Sequence, residues 1–321
     1  MKTKLILKAW ALAAGIAMSF AAAPAMADAV ISSGNGSVQL GIFDMGALGY
    51  RGVGINKTGV GDGIIPGCLC EGWGVAANGQ RGWSANANGG DVNIGLDAGT
   101  GVFGTTFVSN TFLQSLSGLK VSQVYGQSAS GDLVKNTVTI TNSTGAAVTD
   151  VRYSRSMDWD IPPTAFAELV TIGGVGASAL IFSSDDGFAT PNPLSNPGSI
   201  EAGTINTNFV DSGPRDHGAF FTFAFGGLGI GESKTFEIFY GASSSETAAF
   251  AALAAVSAEV YSLGQSNGNG STGSPATFIF GFAGVGGTPI GEVPEPASLA
   301  LFGLGLAGVA ALRRRKIKAA K

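Results

Sequence analysis

Glycine restricts the fold of this chain more than any other feature. The chain contains 51 glycines among its 321 residues. A glycine inside a helix costs about 1 kcal/mol relative to alanine, so this density disfavours a helical bundle. Between the glycines lie short runs such as Leu133–Thr141, in which Val134, Val138 and Ile140 alternate with polar residues. Alternation with a period of two is typical of half-buried strands, and the chain is therefore predicted to be all-β.

Such runs continue along most of the chain, and no long helical pattern separates them. This arrangement predicts a large antiparallel β-sandwich over residues 28–290 rather than a βαβ fold. A turn at Asn142–Gly145 predicts that Leu133–Thr141 and Val148–Trp159 form a hairpin. The glycine-rich segment Gly46–Val102 is predicted to be a long loop, with its glycines in turns.

One amphipathic helix is predicted at about residues 243–264. Ser243 and Glu246 have the spacing of a capping box, and Gly264 is a typical residue for a helix end. Phe250 and Leu253 belong to an apolar stripe with helical spacing. We expect this stripe to pack against a face of the sandwich.

The first 27 residues have the three parts of a secretory signal peptide. A basic start at Met1–Lys8 precedes the apolar run Ala9–Ala23, and small residues at Ala25 and Ala27 occupy positions −3 and −1. The pattern predicts export through the Sec translocon and cleavage by signal peptidase before Asp28.

The last 31 residues, 291–321, have a second three-part pattern. A Pro-Glu-Pro tripeptide precedes the apolar run Ala297–Leu312, which is predicted to be a single transmembrane helix. A basic cluster follows and is expected to stay in the cytoplasm. The residues of the tripeptide and of the cluster are Pro294, Glu295, Pro296, Arg313, Arg314 and Arg315.

This C-terminal pattern resembles the PEP-CTERM sorting signal. The resemblance implies a Gram-negative exported protein whose C-terminus is processed by the membrane enzyme exosortase. It also implies a setting of exopolysaccharide, biofilm or floc matrix. The segments Gly67–Gly74, Met157–Thr164 and Tyr261–Gln265 resemble segments of exported PEP-CTERM β proteins of unknown function. These resemblances indicate routing and supply no catalytic residues.

Charge is distributed unevenly between the body and the ends. The whole chain has a net charge of −4, with 18 basic and 22 acidic residues. Three basic residues precede residue 28, and six basic residues and one acidic residue follow residue 293. Residues 28–293 therefore keep nine basic and 21 acidic residues, a net charge of −12. An acidic exported body disfavours nucleic acid and anionic membrane as partners and permits cations and neutral sugars.

Asp158 and Asp160 are the best candidates for an acid pair. Residues two apart on a strand point to the same side and lie roughly 6.6 Å apart, a separation that suits an inverting glycosidase. The same pair would suit calcium, with Glu168, Asp185 or Asp186 as further ligands. A third alternative is a polar strand end with Trp159 in the core. His217 is a weaker candidate for a general base.

The only two cysteines are Cys68 and Cys70. In an exported chain they are predicted to form a local disulfide, with a reduced or intermolecular state and a metal pair as alternatives.

Three tryptophans, Trp73, Trp83 and Trp159, are candidates for stacking on sugar rings or for covering the sheet ends.

Three functions are compatible with these features. The leading hypothesis is a non-enzymatic protein of the cell surface or extracellular matrix that associates with exopolysaccharide. No Walker or His-Glu-x-x-His motif occurs in the sequence. The alternatives are a carbohydrate-active enzyme or carbohydrate-binding protein that uses Asp158, Asp160 and His217, and an adhesin stabilised by calcium.

Overall fold

The computed structural model describes residues 28–68, 70–87, 89–268 and 276–291. The predicted signal peptide and nearly all of the predicted sorting segment lie outside these residues. In the described part, no helix is both long enough and apolar enough to cross a bilayer.

The described strands form three antiparallel sheets. The first sheet contains, in spatial order, β1 (Ala29–Ser32), β2 (Val38–Ile42), β3 (Ile55–Lys57) and β4 (Gly61–Asp62). The second contains β14 (Leu180–Ser184), β16 (His217–Ala224), β12 (Arg152–Trp159), β5 (Glu71–Ala77) and β6 (Gln80–Ala85). The third contains β15 (Phe209–Arg215), β13 (Glu168–Gly173), β18 (Val260–Ser266), β19 (Thr277–Ala283), β17 (Ser233–Ser243), β11 (Leu133–Asn142), β10 (Leu116–Gln127), β9 (Thr106–Leu113) and β7 (Ile94–Leu96), and β8 (Gly101–Phe103) also pairs with β9.

Aromatic side chains join the second and third sheets face to face. The ring of Phe221 in β16 lies 5.7 Å from that of Phe280 and 5.4 Å from that of Phe282, both in β19. Tyr153 in β12 contacts Phe236 in β17 with ring centroids 5.0 Å apart. Such pairs bury large apolar areas between the layers. The predicted all-β sandwich is confirmed.

The predicted helix is present but shorter than expected. Helix α1 spans Glu246–Ala255, and its N-cap is Ser245, whose hydroxyl accepts a hydrogen bond from the backbone N–H of Ala248. Its buried residue Leu253 packs on the outer face of the third sheet against Phe239 and Ile279. Residues beyond it form β18, which is hydrogen-bonded on both sides, to β13 and β19. Sheet pairing therefore overrides the helical pattern after residue 255, and Gly264 lies in a strand.

The predicted hairpin of β11 with β12 is wrong. Strand β11 pairs with β10 and β17 in the third sheet, whereas β12 pairs with β5 and β16 in the second. The turn after Asn142 therefore leads the chain from one layer to the other. Every residue of β12 after Arg152 is buried, so this strand lacks the alternation that β11 shows.

The segment Gly46–Val102, predicted to be a loop, contains strands of all three sheets. Some of its glycines serve close packing rather than turns. A Cβ on Gly74 in β5 would lie 2.0 Å from the carbonyl oxygen of Pro191, and one on Gly72 would lie 2.6 Å from the Cβ of Ala85. Only glycine fits where another chain segment approaches a strand so closely.

A buried ion pair lies within the second sheet, and its arginine also reaches the third sheet. The guanidinium of Arg155 in β12 donates to the carboxylate of Glu71 in β5, and both side chains are fully buried. Its remaining nitrogens donate to Gln123 Oε1 in β10 at 3.0 Å and to the Gly46 carbonyl at 3.1 Å. The other Glu71 oxygen accepts the backbone N–H of Leu48 at 2.6 Å. Because both charges are fully hydrogen-bonded, burial of the pair is tolerated.

Candidate functional site: a buried carboxylate cluster

Four carboxylates meet where strands of the second and third sheets end. Asp158 is in β12, and Asp160 follows this strand directly. Asp216 lies between β15 and β16, and Glu168 is the first residue of β13. We call these four residues the carboxylate cluster.

The register of β12 against β16 places two of these acids opposite each other. Trp159 is paired with His217, so the next residues outward on the two strands are Asp160 and Asp216. One oxygen from each of Asp158, Asp160 and Asp216 lies within 4.8 Å of the others. Like charges in such positions repel each other unless something compensates them.

Burial makes this repulsion more severe. Asp158, Asp160 and Glu168 are at most 1% exposed, and Asp216 is half-buried. Six oxygens of the cluster have no hydrogen-bond partner within 3.5 Å, namely Asp158 Oδ1, Asp160 Oδ1, Asp160 Oδ2, Glu168 Oε1, Glu168 Oε2 and Asp216 Oδ1. Only Glu168 has backbone N–H groups, those of Phe166 and of Glu168 itself, close enough to lower its pKa. None of the ion pairs among the described residues includes a member of the cluster.

The pKa values of the cluster follow from this environment. Burial, reinforced by the charges of Asp160, Asp216 and Glu168, raises the pKa of Asp158 to about 9. Burial and the charge of Asp216 raise the pKa of Asp160 to about 7. Burial is also the main reason why the pKa of Glu168 rises to about 8. Burial raises the pKa of Asp216 as well, so the folded protein disfavours the ionised form of all four carboxyl groups.

Asp185, a predicted calcium ligand, is fully engaged by the protein itself. Its Oδ1 accepts from the Ile200 N–H at 2.9 Å and from Thr204 Oγ1 at 2.7 Å. Its Oδ2 accepts from the Glu201 N–H at 2.9 Å and lies 3.1 Å from His217 Nδ1. Burial alone would raise the pKa of Asp185, but these hydrogen bonds outweigh it and lower the pKa. Asp185 therefore has no oxygen left for a cation, and the prediction is corrected.

Asp186, the other predicted ligand from this segment, lies at the margin of the cluster. It is half-buried and accepts hydrogen bonds from the backbone of Phe188 and Ala189. Its charge contributes to the raised pKa of Asp158. Asp186 therefore belongs to the surroundings of the cluster.

His217 lies beside the cluster and is held by Asp185. Since the Asp185 carboxylate accepts, the Nδ1 proton of His217 is donated to it. Its Nε2 is buried without a hydrogen-bond partner, and a Cβ on Gly213 would lie 3.3 Å from it. The imidazole is 0% exposed, so a substrate has no access to the predicted general base.

Cys68 and Cys70 form a disulfide in the loop that covers Asp158. The Sγ of Cys68 lies 3.7 Å from Asp158 Oδ2. A disulfide sulfur carries no proton, so it does not donate a hydrogen bond to this oxygen. Neither oxygen of Asp158 is therefore neutralised by a donor from the protein.

Two of the three predicted sugar-stacking tryptophans have no free face. Trp73 and Trp159 are 0% exposed, and their Nε1 atoms donate to Met45 O at 2.8 Å and to Ser262 Oγ at 3.0 Å. These two residues are part of the core, so the prediction is wrong for both. Trp83 is half-buried and is the only one of the three that keeps access to solvent.

The predicted glycosidase geometry is also absent. An inverting pair needs room for a water and a sugar between its carboxyl groups, whereas an oxygen of Asp158 and an oxygen of Asp160 approach within 4.8 Å in the protein interior. Both residues are buried, so no sugar ring fits between them. The arrangement suits the binding of a small cation better than acid–base catalysis.

Sequence reasoning did not place Asp216 in this site. The sequence singles out the neighbouring His217 as a candidate. Asp216 comes close to Asp160 only because β12 pairs with β16, and local sequence patterns do not predict this pairing. The role of Gly67 was missed as well. A Cβ at Gly67 would lie 3.3 Å from both oxygens of Asp160, so the loop approaches the carboxylate closely at this glycine.

Residues 292–316 match the family model of the PEP-CTERM protein-sorting motif. The chain carries a PEP-CTERM sorting signal. The prediction made from Pro294, Glu295 and Pro296 is thereby confirmed, and the chain is an exported protein that is sorted through its C-terminus by exosortase. The motif covers only the C-terminal end and leaves the function of the body open.

No curated protein sequence is significantly similar to this chain. Among solved structures, it is similar to a putative aldose 1-epimerase from Escherichia coli K12, with 12% identity and a TM-score of 0.30 over 82% of this chain and 88% of that chain. It is also similar to a galactose mutarotase related enzyme from Lactobacillus acidophilus, with 6% identity and a TM-score of 0.29 over 79% and 85% of the two chains. Similarity at this level carries no argument about function.

Proposed function

We propose that this protein is a non-enzymatic component of the cell surface or extracellular matrix, delivered there by exosortase. The sorting motif at residues 292–316 is the observation that carries this proposal. In this proposal residues 1–27 are a signal peptide, 28–290 are the functional body and 291–321 are the sorting segment. The body associates with exopolysaccharide, with Trp83 as the candidate contact.

The burial of the predicted catalytic residues supports a non-enzymatic role. Asp158, Asp160 and His217 are each at most 1% exposed. Acid–base catalysis requires these groups to reach a substrate within hydrogen-bond distance, either directly or through one water. We therefore do not extend the proposal to a carbohydrate-active enzyme.

Replacing Pro294 and Pro296 together by alanine is expected to block delivery. In a host with an active exosortase, the variant should remain in the inner membrane with its C-terminus intact, because the recognition tripeptide is lost. Fractionation and intact-mass measurement would detect this. The matched control is Pro289→Ala, which also replaces a proline but lies outside the sorting motif, and it should be delivered normally. Equal delivery of the wild type, the double proline variant and the control would contradict the proposed route. Normal delivery of the wild type in a host without exosortase would also contradict it.

The matrix role requires its own experiment. The purified chain should be retained by the host's exopolysaccharide, and a strain lacking the protein should show an altered matrix. Trp83→Ala should reduce retention, since an aromatic face against sugar C–H groups contributes to binding. The control is Trp73→Phe, which changes a buried aromatic side chain and should leave retention unchanged. Wild-type chain that passes through the polysaccharide unretained would contradict the binding role.

A further inference from the structure

We propose that Asp158, Asp160, Asp216 and Glu168 together bind one Ca²⁺ ion. Nothing in the sorting signal requires such a site, so this inference goes beyond the proposed function and does not depend on it. The bound ion would join the end of β12 in the second sheet to the start of β13 in the third. It would act as a structural cross-link inside the sandwich.

The first argument is the absence of compensation within the described residues. One oxygen from each of Asp158, Asp160 and Asp216 lies within 4.8 Å of the others, and none of these acids forms an ion pair there. A buried polar group without a partner is costly, and a buried charge without one is far more costly. The energetically reasonable alternatives are protonation of the acids or a bound cation.

Glu168 provides a second and independent observation. It belongs to a different sheet from Asp158 and is 0% exposed, and its oxygens have no hydrogen-bond partner within 3.5 Å, although the backbone N–H groups of Phe166 and Glu168 lower its pKa. The charges of Asp160 and Asp216 raise its pKa, so its carboxylate lies next to the three grouped aspartates. Two strands from opposite layers therefore direct unpartnered carboxylates to one place. If these residues were simply a polar strand end without a ligand, the Glu168 carboxylate would be expected to face solvent.

The polar groups around the cluster do not supply the missing positive charge. His217 donates its Nδ1 proton to Asp185, and although the charge of His217 counteracts the rise, burial still raises the pKa of Asp216. Arg215 is bound to Glu201 at the surface. Asp62, close enough to influence Asp160, accepts backbone N–H groups of Gly54, Ile55, Ile64 and Ile65. The surroundings add acids rather than bases, so an external cation is the natural counter-charge.

The donor set selects the class of metal. All four ligands are carboxylates, which are hard oxygen donors that suit Ca²⁺ or Mg²⁺ rather than thiolate-preferring metals. The Cys68 and Cys70 sulfurs are oxidised and are therefore not thiolate ligands. Ca²⁺ takes about 6–8 oxygens at roughly 2.3–2.6 Å, so oxygens on opposite sides of one ion lie about 5 Å apart. The spacing of the Asp158, Asp160 and Asp216 oxygens agrees with this, and Glu168 would approach as a further ligand. Mg²⁺ keeps several waters, for which this buried site has less room.

Calcium titration of the full chain, purified and stripped of divalent ions with EGTA, tests the proposal. Calorimetry should show one Ca²⁺ bound per chain. The melting temperature should rise by about 5 °C or more at 1 mM Ca²⁺, since a ligand that binds only the folded state stabilises it. No heat of binding and no thermal shift with Ca²⁺ would overturn the proposal. A larger thermal shift with Mg²⁺ than with Ca²⁺ would overturn the assignment of the ion.

Two isosteric variants identify the ligands. Asp160→Asn and Glu168→Gln should each weaken Ca²⁺ binding at least 10-fold. In EGTA both variants should melt at or above the wild-type temperature, because each removes one buried repelling charge. A residue with a purely structural role would instead lower that temperature. The control is the exposed Asp91→Asn, which should bind Ca²⁺ like the wild type. Unchanged affinity in both cluster variants would place the ion elsewhere and overturn the proposal.

Discussion

Replacing Arg155 by methionine is expected to destabilise the folded protein by about 3–5 kcal/mol. The substitution leaves the Glu71 carboxylate fully buried, with only the Leu48 N–H as a hydrogen-bond donor. It also removes the Arg155 hydrogen bonds to the Gly46 carbonyl and to Gln123 Oε1, which keep hydrogen bonds from Tyr125 and Asn136. Methionine keeps most of the volume, so the loss measures the charge and its hydrogen bonds. Chemical denaturation of the two chains gives the difference in unfolding free energy.

Strand β12 itself contains the matched control. Arg152 pairs with Asp150 at 2.8 Å, but both side chains are partly exposed. Arg152→Met should therefore cost less than about 1 kcal/mol. Combining Arg155→Met with Glu71→Leu should recover part of the loss, because no buried charge then remains unpaired. If the two single arginine variants were equally stable, the Glu71–Arg155 pair would not be a major contributor.

In the presence of EGTA, the protein is expected to lose stability as the pH rises from 5 to 8. The pKa values of Asp158, Asp160 and Glu168 are about 9, 7 and 8 in the folded state, well above their ordinary values near 4. Between pH 4 and 9 the folded state therefore holds protons that the unfolded chain has released. Under that condition the free energy of unfolding falls with increasing pH. Each pKa unit corresponds to about 1.4 kcal/mol. We therefore expect the free energy of unfolding to fall by at least ~3 kcal/mol between pH 5 and pH 8.

Urea denaturation at several pH values measures this loss. Asp160→Asn should flatten the pH dependence, because it removes one of the titrating groups and part of the repulsion acting on Asp158. The nearby Asp62, Asp186 and His217 are unchanged in this variant, so they do not account for the difference. Stability that rose with pH in EGTA would show that the cluster is compensated within the protein. The prediction concerns the chelated protein and does not require a bound ion.

The sequence predicts secondary structure correctly where one face of an element is buried and the other is exposed to solvent. Leu133–Thr141 alternates in this way and is strand β11 in the structure. The same reasoning failed for the pairing of β12, whose two faces are both covered. The helix was predicted to continue to Gly264 because its pattern continues, but hydrogen bonds to β13 and β19 make Val260–Ser266 a strand. Local periodicity does not contain such long-range pairing.

The candidate site was predicted in part. Asp158 and Asp160 follow from their spacing along one strand, which is a local property. Asp216 and Glu168 join them only through the pairing of β12 with β16 and the packing of two sheets. The burial of Trp73 and Trp159 is likewise a property of the assembled layers, since an aromatic residue in a glycine-rich sequence is equally compatible with a core or a binding surface.

The order of strands in the two large sheets also bears on export. Strand β5 pairs with β12, about 80 residues later, and β11 pairs with β17, about 100 residues later. The third sheet is complete only when β19, ending at Ala283, has joined β17 and β18. Folds dominated by such distant pairings form slowly, because the entropy of closing long loops is lost before the contacts are gained. We therefore expect this exported chain to complete its fold only after Ala283 has been synthesised.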